Sequence, residues 1–283
     1  MAPRTGACLF ADQPQPIPLS PLPHPVLTRL RNRPERRPLV VAHRGDSRHH
    51  PENTIAAFRA AARLGVPMQE FDVRQLACGT LVCVHDGSFD RTTDAARRLG
   101  PGARVAGMIL DTVRTLDAGS WFDTAHAGER VPTLAEVLEV VLPDAIAMIE
   151  HKAGDPDRYV AALRAPELVD RCLLQSFDWH FLAAARSLAP DVAIGVLGPN
   201  HVHQRLGRDA IEAALALGAG LVPWRAQDIQ ATDVQRVHEA GLLLCTYTTD
   251  EPLGWLGGAT MGIDAMCTNE PAAMLTALSH AAS

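Results

Sequence analysis

The feature that most constrains this chain is an alternation that begins at Leu39 and continues to the C-terminal region. Short β-branched or apolar runs are each followed by Ala/Leu-rich segments of helical period. Such a pattern describes parallel βα units, because a parallel strand needs a crossover and a helix supplies it. The candidate strands are Leu39–His43, Met68–Val73, Leu81–His85, Ala145–Glu150, Cys172–Phe177, Val192–Leu197, Gly220–Trp224, Leu242–Tyr247 and Ile263–Thr268. Nine runs are one too many for an eight-stranded barrel. The odd one is Leu81–His85: only Arg74 to Thr80 precede it, too few residues for a crossover helix, and a hairpin turning near Cys78–Gly79 accommodates it. Residues 39 to 283 number 245, close to the ~250 of a single barrel. The expected fold is therefore α/β, a (β/α)8 TIM barrel with a small insertion after the second strand and its hairpin.

Local signals place two helices and set the organisation. Asn53 or Thr54 caps a helix whose Ala-rich body reaches Leu64 and stops at Gly65, a residue suited to the left-handed C′ position. A second helix starts near Thr133, after Pro132, with Glu136 placed to complete a capping box. The mixed, glycine-containing stretch from about 87 to 131 reads as an insertion on the barrel rim. Residues 1–38 differ in kind, with 9 of the 21 prolines and six arginines against two acids. That composition cannot pack a core and lacks the continuous apolar stretch of a signal peptide. The expected organisation is a flexible Pro/Arg-rich arm, 1–38, ahead of one barrel domain, 39–283.

Composition excludes some functions. With 26 Lys plus Arg against 32 Asp plus Glu, the net charge of −6 offers no overall basic surface for a nucleic-acid backbone. The longest nearly apolar run, Ala213 to Trp224, is 12 residues with two glycines and a proline, short of the roughly 20 that a transmembrane helix needs. Six cysteines form no Cys-x-x-Cys pair, and Cys83, Cys172 and Cys245 fall in or beside apolar strands, which suits reduced, buried thiols in a cytoplasmic protein.

Polar residues gather where the apolar strands stop. His43 and Arg44 end the first strand, Glu70 and Asp72 the second, His85 and Asp86 the hairpin arm, and Glu150 and Lys152 the next strand. In a β/α barrel these ends converge on one face, and period two points Glu70 with Asp72, and Glu150 with Lys152, the same way. A hairpin about Cys78 sets His85 opposite Phe71, beside Glu70 and Asp72. Three inward carboxylates repel one another unless a cation sits among them, and an all-oxygen set selects one hard divalent ion, Mg²⁺ or Ca²⁺, on Glu70, Asp72 and Glu150. His43 and His85 are of the residue type whose unperturbed pKa lies near neutrality and can divide acid and base roles, while Arg44 and Lys152 suit phosphate oxygens. The implied partner is a small-molecule phosphate ester. Glu52 is placed to orient Arg44 or its loop in substrate binding, and Trp224 and Tyr247, at strand ends, to line the pocket.

At these residues the chain resembles the glycerophosphodiester phosphodiesterases. His43-Arg44-Gly45, Pro51-Glu52-Asn53-Thr54, Glu70-Phe71-Asp72-Val73, Val84-His85-Asp86, Asp90-Arg91-Thr92-Thr93, Val131-Pro132-Thr133-Leu134, Glu150-His151-Lys152, Ser176-Phe177-Asp178 and Thr268-Asn269-Glu270-Pro271 match that family's signatures in order. The resemblance implies a β/α barrel, a divalent ion on Glu70, Asp72 and Glu150, acid–base roles for His43 and His85, and phosphate contacts from Arg44 and Lys152. It also implies hydrolysis of a glycerophosphodiester to glycerol 3-phosphate and an alcohol, or action of the same barrel on another phosphodiester such as a lysophospholipid. A non-catalytic phosphate-binding barrel is the distant alternative. The chain departs from the family at Cys78, where Asp is usual, and at Cys245-Thr246-Tyr247-Thr248, where Trp-Thr-Val-Asn is usual. His151 stands where an aliphatic residue is more common.

Overall fold

The computed structural model describes residues 24–33 and 37–280. Nine strands form one sheet: β1 (Leu39–His43), β2 (Met68–Gln75), β3 (Leu81–Cys83), β4 (Ile146–Ala153), β5 (Cys172–Ser176), β6 (Ala193–Val196), β7 (Leu221–Arg225), β8 (Leu243–Tyr247) and β9 (Ala265–Thr268). Their order is β1-β9-β8-β7-β6-β5-β4-β2-β3, and β1 also pairs with β2, so eight parallel strands close on themselves. Crossover helices connect them around the outside, as the alternation requires. The ninth strand, β3, runs antiparallel to the end of β2, with Val73 opposite Cys83; continuing that register sets His85 across from Phe71. Its turn closes through Leu76 N–H to Thr80 C=O at 2.9 Å, with Gly79 at φ +86°.

Strand period two divides the apolar residues into two layers. Phe71, Ile149, Leu174, Val222 and Leu244 face outward and pack on Phe58, Val137, Leu182 and other helix residues. Val41, Met68, Met148, Leu173, Leu221, Leu243, Cys245 and Cys267 face the barrel interior. The same inward parity continues toward the C-terminal strand ends, where it reaches His43, Glu70, Asp72, Glu150 and Tyr247 instead of apolar side chains. One face of each strand thus supplies core below and polar groups above.

Both helix starts take the form their sequences dictate. The helix Ile55–Arg63 is capped by Thr54, whose hydroxyl accepts from the Ala57 amide, and Gly65 follows at φ +70°. The helix Leu134–Val141 carries the full capping box of Thr133 and Glu136. The insertion builds its own small core on the hairpin from Phe89, Val105, Val113 and Leu116 against Val82 and Val84. It returns beside β3, where the Cys83 amide donates to the Pro132 carbonyl at 2.9 Å.

The N-terminal arm is corrected in part. Residues 1–23 and 34–36 lie outside the described residues, but Pro25–Arg31 form a helix that plugs the N-terminal end of the barrel. Val26, Leu27 and Leu30 are at most 3% exposed and join the interior layer. Leu27 sits over Gly220 so closely that a Cβ there would lie 2.0 Å from Leu27 Cδ1. Arg33 is anchored to Asp264 at 2.6 Å and Arg31 to the Gly241 carbonyl at 3.0 Å. Three apolar residues among prolines carry too little local signal to order themselves. The open end of the barrel supplies the apolar surface they need.

Among the described residues the five cysteines are free, with Cys83, Cys172, Cys245 and Cys267 buried and Cys78 exposed. No described helix is long and apolar enough to cross a membrane. Because Leu30 is fully buried against the barrel interior, Leu30→Ala is expected to lower stability by about 2–4 kcal/mol in urea denaturation. A loss under about 0.5 kcal/mol, the scale of a surface position, would show that the helix is not part of the folded core.

Candidate active site

The site begins with a bend in the chain. Immediately after β1, Arg44 and Gly45 both take positive φ, +58° and +83°. A side chain at Gly45 would collide with Ala57, its Cβ 2.6 Å from that residue's carbonyl carbon. The bend lets the Arg44 amide donate to the Glu70 carbonyl at 2.8 Å and turns the guanidinium over Asp72, Nε to Oδ2 at 2.9 Å. Asn53, also at φ +58°, buttresses the same carboxylate: its Nδ2 donates to Asp72 Oδ2 at 2.8 Å, and its Oδ1 accepts from the Asp72 amide at 3.3 Å.

Glu70, Asp72 and Glu150 come together as their parity demands. One oxygen from each lies within 4.8 Å of the others, and the three residues are 2%, 0% and 7% exposed. Burial raises Glu70 well above the usual carboxyl range, and the charges of Asp72 and Glu150 add to it. Glu150 is pushed up to about 7 by burial and by Asp72. Asp72 goes the other way: although burial opposes it, Arg44 and Lys152 hold it down at about 2. Lys152 Nζ sits 3.2 Å from Asp72 Oδ1 and also pairs with Glu150.

The donor set fits a hard divalent cation. Glu70 Oε1 is buried with no hydrogen-bond partner, all donors are carboxylate oxygens, and two of the three carboxyls are pushed toward protonation by burial and by their mutual repulsion. A cation among them removes that repulsion.

The histidines flank the triad with matched geometry. His43 Nδ1 lies 2.7 Å from Asn269 Oδ1, and Asn269 Nδ2 donates to Asp250 Oδ2 at 2.7 Å. Since a carboxylate only accepts, the Asn269 oxygen must accept, so His43 donates from Nδ1 and its Nε2 carries the free lone pair. That Nε2 faces Glu70 Oε2 at 3.9 Å. Burial, reinforced by Arg44, pushes His43 down to about 4. His85 Nδ1 lies 2.7 Å from Asp86 Oδ1, which fixes the same tautomer when the ring is neutral.

A cavity of about 190 Å³ joins these groups, lined by His43, Arg44, Glu70, His85, Glu150 and Lys152 on one side and by Gln175, Phe177, Pro223 and Tyr247 on the other. Asp72 lies beneath it, bound to Arg44 and Lys152. Tyr247 spans the cavity and donates from its hydroxyl to the Gly198 carbonyl at 2.7 Å. Phe177 meets Tyr247 edge-on at 6.0 Å and carries Lys152 Nζ 5.8 Å above its ring. A larger hollow of about 540 Å³ lies beside the plugging helix, next to His24 and Arg186, and holds none of these groups.

One expected pocket residue is placed elsewhere. Trp224 has the outward parity of Val222; it is fully buried in the outer layer against Gly198, and Pro223 is the residue of β7 that faces the cavity. Glu52 lines a neighbouring crevice, and its carboxylate accepts from Arg44 Nη1 at 2.8 Å and from two Arg91 nitrogens at 2.8 and 2.9 Å. It is thus joined to Arg44, the residue it is expected to orient. His151 has a structural role: facing outward from β4, it stacks on Phe181 at 3.4 Å and lies 3.1 Å from the Ser176 hydroxyl.

Several members of the site were not singled out from the sequence. Asn53, Asp86 and Asn269 belong to motifs whose partners only the fold reveals. Asp250 and Gln175 carry no local signal. Gln175 is inward by strand parity and 2% exposed, with its Oε1 unpartnered.

The C-terminal face of the closed barrel thus brings together a carboxylate triad, two histidines, Arg44 and Lys152. Residues 43–273 match the Glycerophosphoryl diester phosphodiesterase family. A glycerophosphodiester phosphodiesterase of Caldanaerobacter subterraneus subsp. tengcongensis is 34% identical over 239 residues, covering 76% of this chain and 94% of that protein. An Oleispira antarctica phosphodiesterase, solved in complex with the product sn-glycerol-3-phosphate, superposes with a TM-score of 0.76 at 26% identity, over 86% of this chain and 97% of that one. A glycerophosphodiester phosphodiesterase from Agrobacterium tumefaciens gives 0.73 at 28% identity, over 84% and 99%. The chain belongs to the glycerophosphoryl diester phosphodiesterase family.

Cation binding should be linked to protons. Glu150, raised to about 7, is increasingly protonated below that pH, Glu70 is raised as well, and a ligand must lose its proton to bind a metal. Divalent-cation affinity is therefore expected to fall as pH drops below about 7, with net proton release in calorimetry run in buffers of different ionisation enthalpy. Binding that releases no protons near about pH 6 would contradict this electrostatic picture.

Proposed function

We propose that this chain hydrolyses glycerophosphodiesters to sn-glycerol 3-phosphate and an alcohol, using His43 and His85 for proton transfer and one Mg²⁺ or Ca²⁺ ion held by Glu70, Asp72 and Glu150. The observation that carries this reading is the convergence, in one cavity, of two imidazoles with Nδ1 tied back and Nε2 free, an acidic triad, and Arg44 with Lys152. The product held by the Oleispira antarctica relative supports glycerol 3-phosphate as the product here. Free thiols among the described cysteines suit a reducing compartment, and the protein is assigned to the cytoplasm on that basis.

Arg44 and Lys152 bind the non-bridging phosphate oxygens and hold phosphorus between the two imidazoles. When bound, the divalent ion supplies Lewis-acid stabilisation of the charge that develops on the phosphoryl oxygens. One neutral imidazole accepts at Nε2 the proton of the attacking hydroxyl, and the other enters as the imidazolium and gives its Nε2 proton to the leaving alkoxide. The attacking group is the neighbouring glycerol hydroxyl or water; proximity favours the former, since it is already tethered to the phosphate. Phe177 and Tyr247 form the wall facing the triad and exclude water from that side.

The test is release of glycerol 3-phosphate from glycerophosphocholine and glycerophosphoethanolamine, with a lysophospholipid and an aryl phosphodiester alongside. Turnover is expected to vanish in EDTA and return with Mg²⁺ or Ca²⁺, and His43→Ala is expected to lose about 10²–10⁴-fold in kcat. Turnover of the lysophospholipid or aryl ester alone would move the substrate elsewhere while keeping the site. Unchanged turnover in His43→Ala would remove that histidine from the chemistry.

A further inference from the structure

Arg91 stands in the insertion, five residues after Asp86, and lines no part of the catalytic cavity. Its guanidinium nevertheless makes two fork contacts. Nη1 and Nη2 donate to Glu52 Oε2 and Oε1 at 2.9 and 2.8 Å, while Nε and Nη2 donate to Asp86 Oδ2 and Oδ1 at 2.7 and 3.2 Å. Both carboxylates have a second partner inside the cavity. Glu52 Oε1 also accepts from Arg44 Nη1 at 2.8 Å, and Asp86 Oδ1 also pairs with His85 Nδ1 at 2.7 Å. One unbroken chain of contacts thus runs from His85 through Asp86, Arg91, Glu52 and Arg44 to Asp72.

We infer that Arg91 is a positioning residue that sets the placement of the His85 imidazole relative to the phosphate-binding Arg44. The two backbones meet through β2, with the Arg44 amide on the Glu70 carbonyl at 2.8 Å and the Val84 amide on the Asp72 carbonyl at 3.0 Å, but that ladder leaves the rotation of the His85 ring open; the side-chain contacts that join the ring to the Arg44 guanidinium run through Arg91. The Asp86 side chain is 32% exposed, and among the described residues its carboxylate pairs with Arg91 and His85 alone. An isolated exposed ion pair is worth little because solvent screens it and side-chain entropy opposes it. A planar fork shared by two carboxylates is different: it dictates direction as well as distance, which lysine cannot do. Through Arg91 the insertion, whose core is separate from that of the barrel, becomes part of the catalytic geometry.

The inference rests on the phosphodiesterase reading, and its test separates the two. In Arg91→Ala, kcat for glycerophosphocholine is expected to fall about tenfold or more, in line with the sensitivity of catalysis to small misplacements, with a smaller change in KM. Arg91→Lys restores little of it. Because the side chain is 44% exposed, added methylguanidinium can reach the gap and is expected to restore kcat of the alanine variant saturably. A readout free of turnover is the imidazole nitrogen spectrum of His85 at mildly alkaline pH: the Nδ1–H tautomer in the unmodified protein, and a mixture in Arg91→Ala. Wild-type kcat together with a wild-type tautomer in Arg91→Ala overturns the inference. So does a loss of kcat that methylguanidinium leaves unrestored while His85 is unchanged, since that outcome assigns Arg91 to the fold of the insertion alone. Inactivity of the unmodified protein would overturn the phosphodiesterase reading, and the His85 tautomer would still decide the role of Arg91.

Discussion

Three carboxylates buried within 4.8 Å of one another repel, and much of the upper barrel is arranged around that repulsion. Arg44 and Lys152 offset part of it, bracketing Asp72 from opposite sides and keeping it ionised. Glu70 and Glu150 are left with raised affinity for a positive charge, whether protons or a metal ion. The same like charges make the cluster a fitting place for a divalent cation, and Arg44 and Lys152 are held beside it. Replacing the triad with apolar residues would relieve the strain and remove the reason for the site.

Around this centre, directionality comes from hydrogen bonds that allow only one sense of donation. Asp250 can only accept, so it turns the Asn269 amide, which in turn fixes the His43 ring. Asp86 does the same for His85 from the opposite side. Asn53 grips both the main chain and the carboxylate of Asp72. These contacts come from the segments that follow β8, β9 and β3 and from the loop after β1, so the two imidazoles are set by separate pieces of chain. Their mutual placement is a property of the closed barrel.

The two ends of the barrel are finished by segments that the βα alternation does not include. The helix Pro25–Arg31 fills the N-terminal end with Val26, Leu27 and Leu30, and the insertion rises beside the C-terminal end on a core of its own. The first contributes apolar burial far from the chemistry. The second reaches the site through charged side chains, Arg91 above all.

Much was legible in the sequence because it depends on local periods. The strand count, the odd hairpin, the caps at Thr54 and Thr133, and the shared direction of Glu70 with Asp72 and of Glu150 with Lys152 follow from spacings of two or three residues. Turns and strands impose those spacings whatever lies across the barrel. Other features needed a partner from elsewhere in the chain. Trp224 and Tyr247 both end strands, yet one points outward and the other inward, because inward parity is set by how each strand meets its neighbours. The plugging helix exists because an open barrel end lies above Leu27 and Leu30, and Glu52 is occupied because Arg91 arrives from the insertion. The sequence by itself determined the alternation, which side chains of a strand share a face and the kinds of polar group at the strand ends. Only the tertiary structure decided which of those groups meet, since burial and charge pairing are fixed by neighbours brought together when the sheet closes.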